Sequence, residues 1–338
     1  MFKNVYKYDE WKRSEHMAVR ETAGWYLWTH ELVEVVGPDA AAFLDYLFTG
    51  NIANLAPSRA RYTTMLNEKG QIIDDVVIWC MEEDKYWVST LYAKRMIPWF
   101  TQHKGDRNVQ FTDITRSWDM YAVQGPKAKE VLNDLMENSV DDQKFFQILD
   151  NRLGDVDVKV NRGGFTGEKL GYEIYVAPEH TKVVVEKLRA LEEKYAMKQV
   201  TEVQVMVWTL PMEKGFCTMC DLHWYYPQEV GLDWGINWDK EFIGKEALLK
   251  VKEEGPKRTL MGFTVEDEEI HIHGKHLGAA GCPVMLDGEE IGRVTKVAYS
   301  YVLDKNIGYA IVDNSKVKVG DKVILNKHEA VLCDKIFF

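Results

Sequence analysis

Two carboxylates stand side by side in an apolar run, Ile72-Ile73-Asp74-Asp75-Val76-Val77-Ile78. The flanking residues are strand formers, and successive side chains on a strand point to opposite faces. Asp74 and Asp75 therefore cannot both face water if one face of the strand packs on a core. A buried carboxylate with neither partner nor ligand costs on the order of several kcal/mol. Two uses stay open at this point: an ion pair or hydrogen-bonded strand end, or an acid held in a cleft for a ligand.

Other chemistry-bearing residues are weaker signals. Cys217-x-x-Cys220 has no second pair and no zinc spacing. His271, His273 and His276 read as a solvated loop, so no metal site is expected. Asn161-Arg162-Gly163-Gly164-Phe165-Thr166-Gly167-Glu168 lacks the dinucleotide and P-loop patterns. Its glycines imply tight turns or close approach of the backbone to a ligand. Residues 200–240 are rich in Trp and Tyr, among them Trp208, Trp224, Tyr225, Tyr226, Trp234 and Trp238. Ordinary core packing accounts for such rings as readily as a flat aromatic substrate does.

The elements that must hold the carboxylates follow from pattern. Asn67 to Gly70 is turn chemistry between Tyr62–Leu66 and Ile72–Trp79, which predicts a β-hairpin. Asp9 to Arg20 reads as a helix. Glu31–Val36 reads as a strand, followed by Gly37-Pro38 and a helix over Asp39–Phe48. The unit returns as the strand Met120–Gln124, Gly125-Pro126 and a helix over Lys127–Met136. The shared pattern Val-x-Gly-Pro-x-Ala-x-x-(Phe/Val)-Leu spans 35–44 and 123–132 and points to internal pseudo-symmetry. Lys85–Thr90, Val156–Val160 and Gly171–Val176 read as strands, Ala93–His103 as a helix and Glu179–Tyr195 as an amphipathic helix. Beyond a linker over Glu253–Lys257, residues 259–338 alternate strands and turns, as a small antiparallel barrel or sandwich does. The division expected is 1–252 and 258–338.

At 338 residues, with 46% apolar and 12% aromatic content, the chain can bury a sizeable core. A net charge of −11 argues against nucleic acid or an anionic membrane as partner. Five scattered cysteines, no apolar leader and no membrane-length run lead to the expectation of a cytoplasmic protein. Oligomeric state is not legible.

Taken together and in order, six segments resemble the glycine-cleavage T-protein family of tetrahydrofolate-dependent proteins. They are Asn67-Glu-Lys-Gly-Gln-Ile-Ile-Asp-Asp-Val, Gln124-Gly-Pro-Lys-Ala, Gly164-Phe-Thr-Gly-Glu with Gly171-Tyr-Glu-Ile, Gly231-Leu-Asp-Trp, Phe242-Ile-Gly-Lys-Glu-Ala-Leu and Gly292-Arg-Val-Thr. The resemblance covers nearly the whole chain. It implies an α+β, three-subdomain cloverleaf: two interwoven α+β subdomains around a central folate channel, plus a C-terminal antiparallel β-barrel. It also implies that Asp75 is the catalytic acid beside N5 of tetrahydrofolate and that Glu173 holds the pterin ring. A carboxylate suits adjacent N–H donors of a pterin edge because it accepts two at once. Phe165 stands where the family usually has Tyr, and Tyr62 and Trp234 match aromatic positions lining the channel.

Three departures fall near the ligand site of the family. Neither arginine of its Ala-Arg-Asp-Ser-Leu-Arg-Leu-Glu stretch survives in Val205-Met206-Val207-Trp208-Thr209-Leu210-Pro211-Met212-Glu213. Asp-x-Ser-His-Met has become Leu27-Trp28-Thr29-His30-Glu31, and the Asn after the third strand is Thr90. The pattern is similar to the demethylase branch, which moves methyl groups from small O-, S- or N-methylated donors, aryl methyl ethers among them, to N5 of tetrahydrofolate. In that reading His30, Trp208, His223 and Tyr225 are candidates to meet the donor. The alternative is an aminomethyltransferase of the glycine cleavage system, which needs a lipoyl carrier protein and releases ammonia. A third role, folate binding in aid of iron–sulfur enzymes, is disfavoured because Lys214-Gly215-Phe216-Cys217-Thr218 displaces the expected Cys and lacks the Gly-Gln-Glu that follows it.

Overall fold

The structure, a computed structural model, describes residues 7–28, 30–270, 272 and 281–338. His271, His273 and His276, with the loop expected around them, lie outside the described residues. The N-terminal region forms β1 (Gly24–Trp28), β2 (Glu31–Val36), β3 (Arg59–Leu66), β4 (Ile72–Glu82), β5 (Lys85–Thr90), β6 (Gln110–Asp113), β7 (Asp119–Gln124), β8 (Ile148–Leu153), β9 (Val156–Arg162), β10 (Gly171–Val176) and β11 (Lys198–Gln199). Helices α1 (Glu10–Glu21), α2 (Ala40–Leu47), α3 (Ala93–His103), α4 (Ala128–Leu135) and α5 (Thr181–Ala190) pack around them. The C-terminal strands are β12 (Arg258–Val265), β13 (Pro283–Leu286), β14 (Glu289–Ser300), β15 (Lys305–Asp313), β16 (Lys322–Leu325) and β17 (His328–Cys333).

These strands make three sheets. One has the order β11-β1-β7-β10-β9-β8, a second β3-β4-β5-β2-β6, and the third closes as a barrel, β12-β15-β14-β13-β16-β17. The barrel of the two C-terminal options is thus the one formed. The chain begins in the first sheet with β1, completes the second with β2–β6 and returns to the first for β7–β11, so the two are interwoven as the resemblance implies. Each covers its outer face with helices. Trp25, Val123, Ile174 and Val160 bury against α4 and α5, and Val33, Val76, Ile78 and Val88 against α2 and α3. The inner faces turn toward each other: Tyr26, Ala122 and Tyr175 from the first sheet share one apolar cluster with Trp79 and Trp87 from the second. The sheets also meet edge to edge, where Ala60 N donates to Phe146 O at 2.9 Å and Ile148 N to Ser58 O at 3.0 Å.

The strand–Gly–Pro–helix repeat is a real structural repeat. Both helices run eight residues, and Ala40 N and Ala128 N donate to Gly37 O and Gly125 O. The glycines take φ of +138° and +131°, and a Cβ at Gly125 would lie 2.5 Å from Val19 O. No other residue fits that turn.

Four strands escape the sequence pattern: β1, β6, β8 and the two-residue β11. β1 is apolar on both faces (Gly-Trp-Tyr-Leu-Trp) and shows no alternation because both faces are covered in part. β8 and β6 are sheet edges; β6 is mostly exposed, and β8 interrupts its buried Ile148 and Leu153 with Asp150, Asn151 and Arg152, so neither has an alternating apolar signature. The helix expected over Glu179–Tyr195 is broken: a single 3₁₀ turn precedes α5, and a further turn, Glu192–Tyr195, follows Leu191. Among the described residues no helix is long and apolar enough to cross a membrane.

Candidate functional site between the two sheets

The alternation of β4 decides the fate of the two carboxylates. Ile72, Asp74, Val76 and Ile78 are buried; Ile73, Asp75 and Val77 are half-buried. Asp74 faces the helix-covered side at 2% exposure, where Thr90 Oγ1 donates to Oδ2 at 2.6 Å and the Asp75 amide to Oδ1 at 2.9 Å. Burial pushes its carboxyl up to about 8 despite the Thr90 bond. Thr90 thus serves Asp74 on the far side of the sheet from the channel. Asp75 faces inward with Val77 and Trp79.

Tyr62 on β3 pairs with Val77 and reaches diagonally to Asp75, its hydroxyl donating to Oδ2 at 2.9 Å. Burial pushes the Asp75 carboxyl up to about 6, with the Tyr62 bond pulling the other way. Such a group is mostly ionised at neutral pH yet close enough to titration to hold or release a proton. Trp234, 70% exposed, stacks on Tyr62 with centroids 6.2 Å apart and planes at 22°. Both rings line a cleft of about 710 Å³, together with Asn51, Arg61, Phe145 and Phe146.

The facing sheet presents Glu173. Register puts Tyr26, Ala122, Glu173 and Asn161 in one row across β1, β7, β10 and β9. Asn161 Nδ2 donates to Glu173 Oε2 at 2.9 Å and Tyr175 OH to the same oxygen at 3.3 Å. Burial raises this carboxyl, and the two bonds oppose the shift. Phe165 packs at 5.0 Å against Trp28 and edge-on to Tyr26 at 5.9 Å. His30 accepts or donates at Nδ1 to Ser89 Oγ, 2.7 Å away, and lies 5.7 Å from the Tyr175 ring. Burial lowers its pKa to about 4, so the imidazole is neutral at physiological pH.

The structure therefore brings Asp75, Tyr62 and Trp234 together on one side, and Glu173, Phe165 and His30 on the other. The remaining three candidates sit toward the barrel. Trp208 donates Nε1 to Val297 O at 3.0 Å, Tyr225 lies under the Arg258 guanidinium at 4.8 Å, and His223 stacks on Trp224 at 4.4 Å. The glycines of the 163–167 turn make room for a side chain: a Cβ at Gly164 would lie 2.0 Å from Gln124 Oε1, and Gln124 Nε2 donates to Gly163 O. All five cysteines are free, and the described residues hold no cluster of three or more metal-ligating side chains.

Comparison with known proteins bears on this arrangement. Residues 2–240 match the GCVT N-terminal domain, and residues 258–338 match the glycine cleavage T-protein C-terminal barrel domain. The chain belongs to the glycine cleavage T-protein family. An aminomethyltransferase of Caldanaerobacter subterraneus subsp. tengcongensis is 34% identical over 337 residues, covering 96% of this chain and 87% of that protein. One from Thermotoga sp. (strain RQ2) is 31% identical over 325 residues, covering 91% and 83%. The crystal structure of the glycine cleavage system aminomethyltransferase T from Bartonella henselae superposes with a TM-score of 0.85 at 23% identity, covering 97% of this chain and 89% of that one, which shows the shared fold.

Aminomethyltransferases of this T-protein family use tetrahydrofolate as their one-carbon acceptor, so folate-dependent one-carbon transfer is the chemistry of the family. The residues between the sheets fit that group. Tyr26 OH, His30 Nε2, Trp79 Nε1 and Asn161 Oδ1 are buried without a hydrogen-bond partner, and they flank Glu173 or face it. Buried polar groups are rarely left so, and a polar heterocycle would satisfy them. Sequence reasoning missed Tyr26, Asn161, Tyr175 and Trp79. Tyr26 lies on the unassigned β1. Tyr175 shares the face of Glu173 by the alternation of β10, whereas Asn161 and Trp79 become neighbours only through strand register and the packing of the two sheets.

Proposed function

We propose that this T-protein family member is a tetrahydrofolate-dependent aminomethyltransferase that takes a one-carbon unit from an aminomethyl group on a lipoyl carrier protein, with release of ammonia. The observation that carries the reading is the inward-facing Asp75, tied to Tyr62 on one sheet, with Glu173 and unpartnered buried polar atoms on the inner face of the other. Tetrahydrofolate, when bound, supplies N5 as the nucleophile. Glu173, with Asn161, would hold the pterin edge by accepting its N–H donors. Tyr62, Trp234 and Phe165 would flank the rings. Asp75 would act as the catalytic residue, stabilising positive charge beside N5 or relaying its proton. The walls of Trp79, Trp87 and Tyr175 exclude water, which strengthens each of these interactions.

A second reading has one specific observation in its favour. Neither arginine of the family's stretch remains in Val205–Glu213, a segment that here forms a five-residue π-helical turn (Val205–Thr209) and then a short helix. Transfer of a methyl group from a small O-, S- or N-methylated donor, such as an aryl methyl ether, would not need those cations, and the neutral His30 would meet the leaving atom.

The experiment that separates them is calorimetric titration with tetrahydrofolate, followed by mass detection of the folate product. Methylene-tetrahydrofolate formed only from an aminomethyl-loaded lipoyl carrier supports the proposal. Methyl-tetrahydrofolate formed from a methylated donor selects the second reading. Absence of folate binding overturns both.

A further inference from the structure

Among the described residues the barrel strands bury Thr295, Lys296, Ser300, Asn306 and His328 as polar side chains, and of these Lys296 alone is a lysine or arginine. Thr295 and Lys296 are consecutive on β14 and, on a regular strand, would point to opposite faces. The pairing of β14 with β15 slips by a residue between Val294 and Lys296, so Thr295 is the extra residue of a bulge. Bulges re-aim side chains. Here both side chains reach the same carboxylate: Thr295 Oγ1 donates to Asp221 Oδ1 at 2.5 Å, and Lys296 Nζ lies 2.8 Å from Asp221 Oδ2. The side chains of Lys296 and Asp221 have no solvent exposure. Asp221 also accepts Thr218 N at 2.8 Å and Thr218 Oγ1 at 3.1 Å. Lys296 Nζ is 3.4 Å from Phe216 O, 4.9 Å from the Tyr309 ring and 5.6 Å from the Trp208 ring.

The short helix Met219–Leu222, which carries Asp221, packs on both β4 and β14. Its continuation is stitched to the start of β4: Trp224 N donates to Ile72 O at 3.1 Å and Ile72 N to Tyr225 O at 2.9 Å. The ion pair is therefore wedged between the barrel and the Asp75 strand. The titratable groups that act on Asp75 are Tyr62 from β3, Asp74 from its own strand, Tyr92 after β5, Cys217 and Asp221 from the connecting segment, and Lys296 from the barrel. Asp221 acts on Asp75 ahead of Lys296 and in the opposite sense, and Lys296 is the one cation in that set. A buried ion pair is a poor stabiliser compared with apolar residues of the same size, so burial of this pair is not explained by stability.

We infer that Lys296, aimed by the bulge and braced by Asp221, is a positioning residue for Asp75: the barrel contributes to the site a buried positive charge that favours the carboxylate form of Asp75. The inference rests on the reading of Asp75 as the working acid, but its test does not need turnover. Aspartate carboxyl carbons of the full chain are labelled with ¹³C, and Asp75 is assigned by its loss in Asp75→Asn. Its titration midpoint is then followed in Lys296→Met, Asp221→Asn, the double variant and Lys296→Arg. Lys296→Met raises the midpoint by about one pH unit, Asp221→Asn lowers it by a similar amount, and the double variant returns near the wild-type value. Lys296→Arg stays close to wild type. If Lys296→Met does not fold, Asp221→Asn and the neutral double variant still decide the matter. Midpoints that do not move, or that move in the same direction in both single variants, overturn the inference and leave the pair a structural clip. Where turnover is measurable, the acid limb of the rate profile shifts with the midpoint. A clear titration response with no one-carbon transfer would sink the functional reading alone.

Discussion

At the scale of single residues, the two adjacent aspartates have opposite duties because they face opposite sides of one strand. Asp75 is inward, bonded to Tyr62 and pushed up to about 6 by burial. Replacing it by Asn keeps the shape and the Tyr62 contact but removes the charge. Asp75→Asn should cut turnover by about 10²–10⁴-fold while leaving tetrahydrofolate affinity within a few-fold of wild type. Turnover near wild type in that variant would remove Asp75 from the chemistry. Glu173 has the complementary duty of binding. Glu173→Ala should weaken tetrahydrofolate by about 10–100-fold in calorimetry, the usual worth of hydrogen bonds to a charged group. Unchanged affinity would detach Glu173 from the pterin.

At the scale of elements, β4 stores a destabilising proton equilibrium. Asp74 holds its proton to about pH 8 in the folded chain, against an ordinary value of 3.8. The folded state binds that proton more tightly than the unfolded state. The linked stability is therefore complete below the ordinary value and is lost as pH rises through about 8. Asp74→Asn removes this dependence. Its melting temperature should match wild type near pH 4 and exceed it by several degrees at pH 8, as a thermal scan across that window would read. Parallel curves for the two proteins would show that Asp74 is not the titrating group. The same strand shows what was legible. Its period-2 pattern and the Asn67–Gly70 turn announced the hairpin, whereas the choice of Asp74 for the helix side depends on α2 and α3 covering that face.

At the scale of the whole molecule, one buried polar cluster ties the lobes together. Arg20 of α1 donates to Glu213 Oε2 at 3.1 Å from Nε and 2.8 Å from Nη2, and to Thr166 O at 3.0 Å; it also pairs with Glu168. Glu213 accepts from barrel residue Ser300 at 2.5 Å on Oε1, His16 Nε2 lies 3.1 Å from that oxygen, and the Glu213 carbonyl accepts Phe337 N at 3.0 Å. Arg20→Met would leave the Glu213 carboxylate buried without its arginine partner. Chemical denaturation should show a loss of about 3–5 kcal/mol. A loss below about 1 kcal/mol would mean that His16 and Ser300 suffice to hold it.

By itself, the sequence determined the local units: the hairpin, the repeated strand–Gly–Pro–helix, the barrel strands and the position of Asp75 in its motif. Each of these depends on neighbours within about ten residues, where periodicity and turn chemistry act. Tertiary structure alone decided which carboxylate faces the channel and that Asn161 and Tyr26 share a row with Glu173. It also decided that a bulge in the barrel brings Lys296 against Asp221, on the short helix that packs on the strand of Asp75. Those contacts join residues 12 to 75 positions apart, and they are set by strand register and by which faces the helices and the barrel cover. Neither quantity leaves a local mark on the chain.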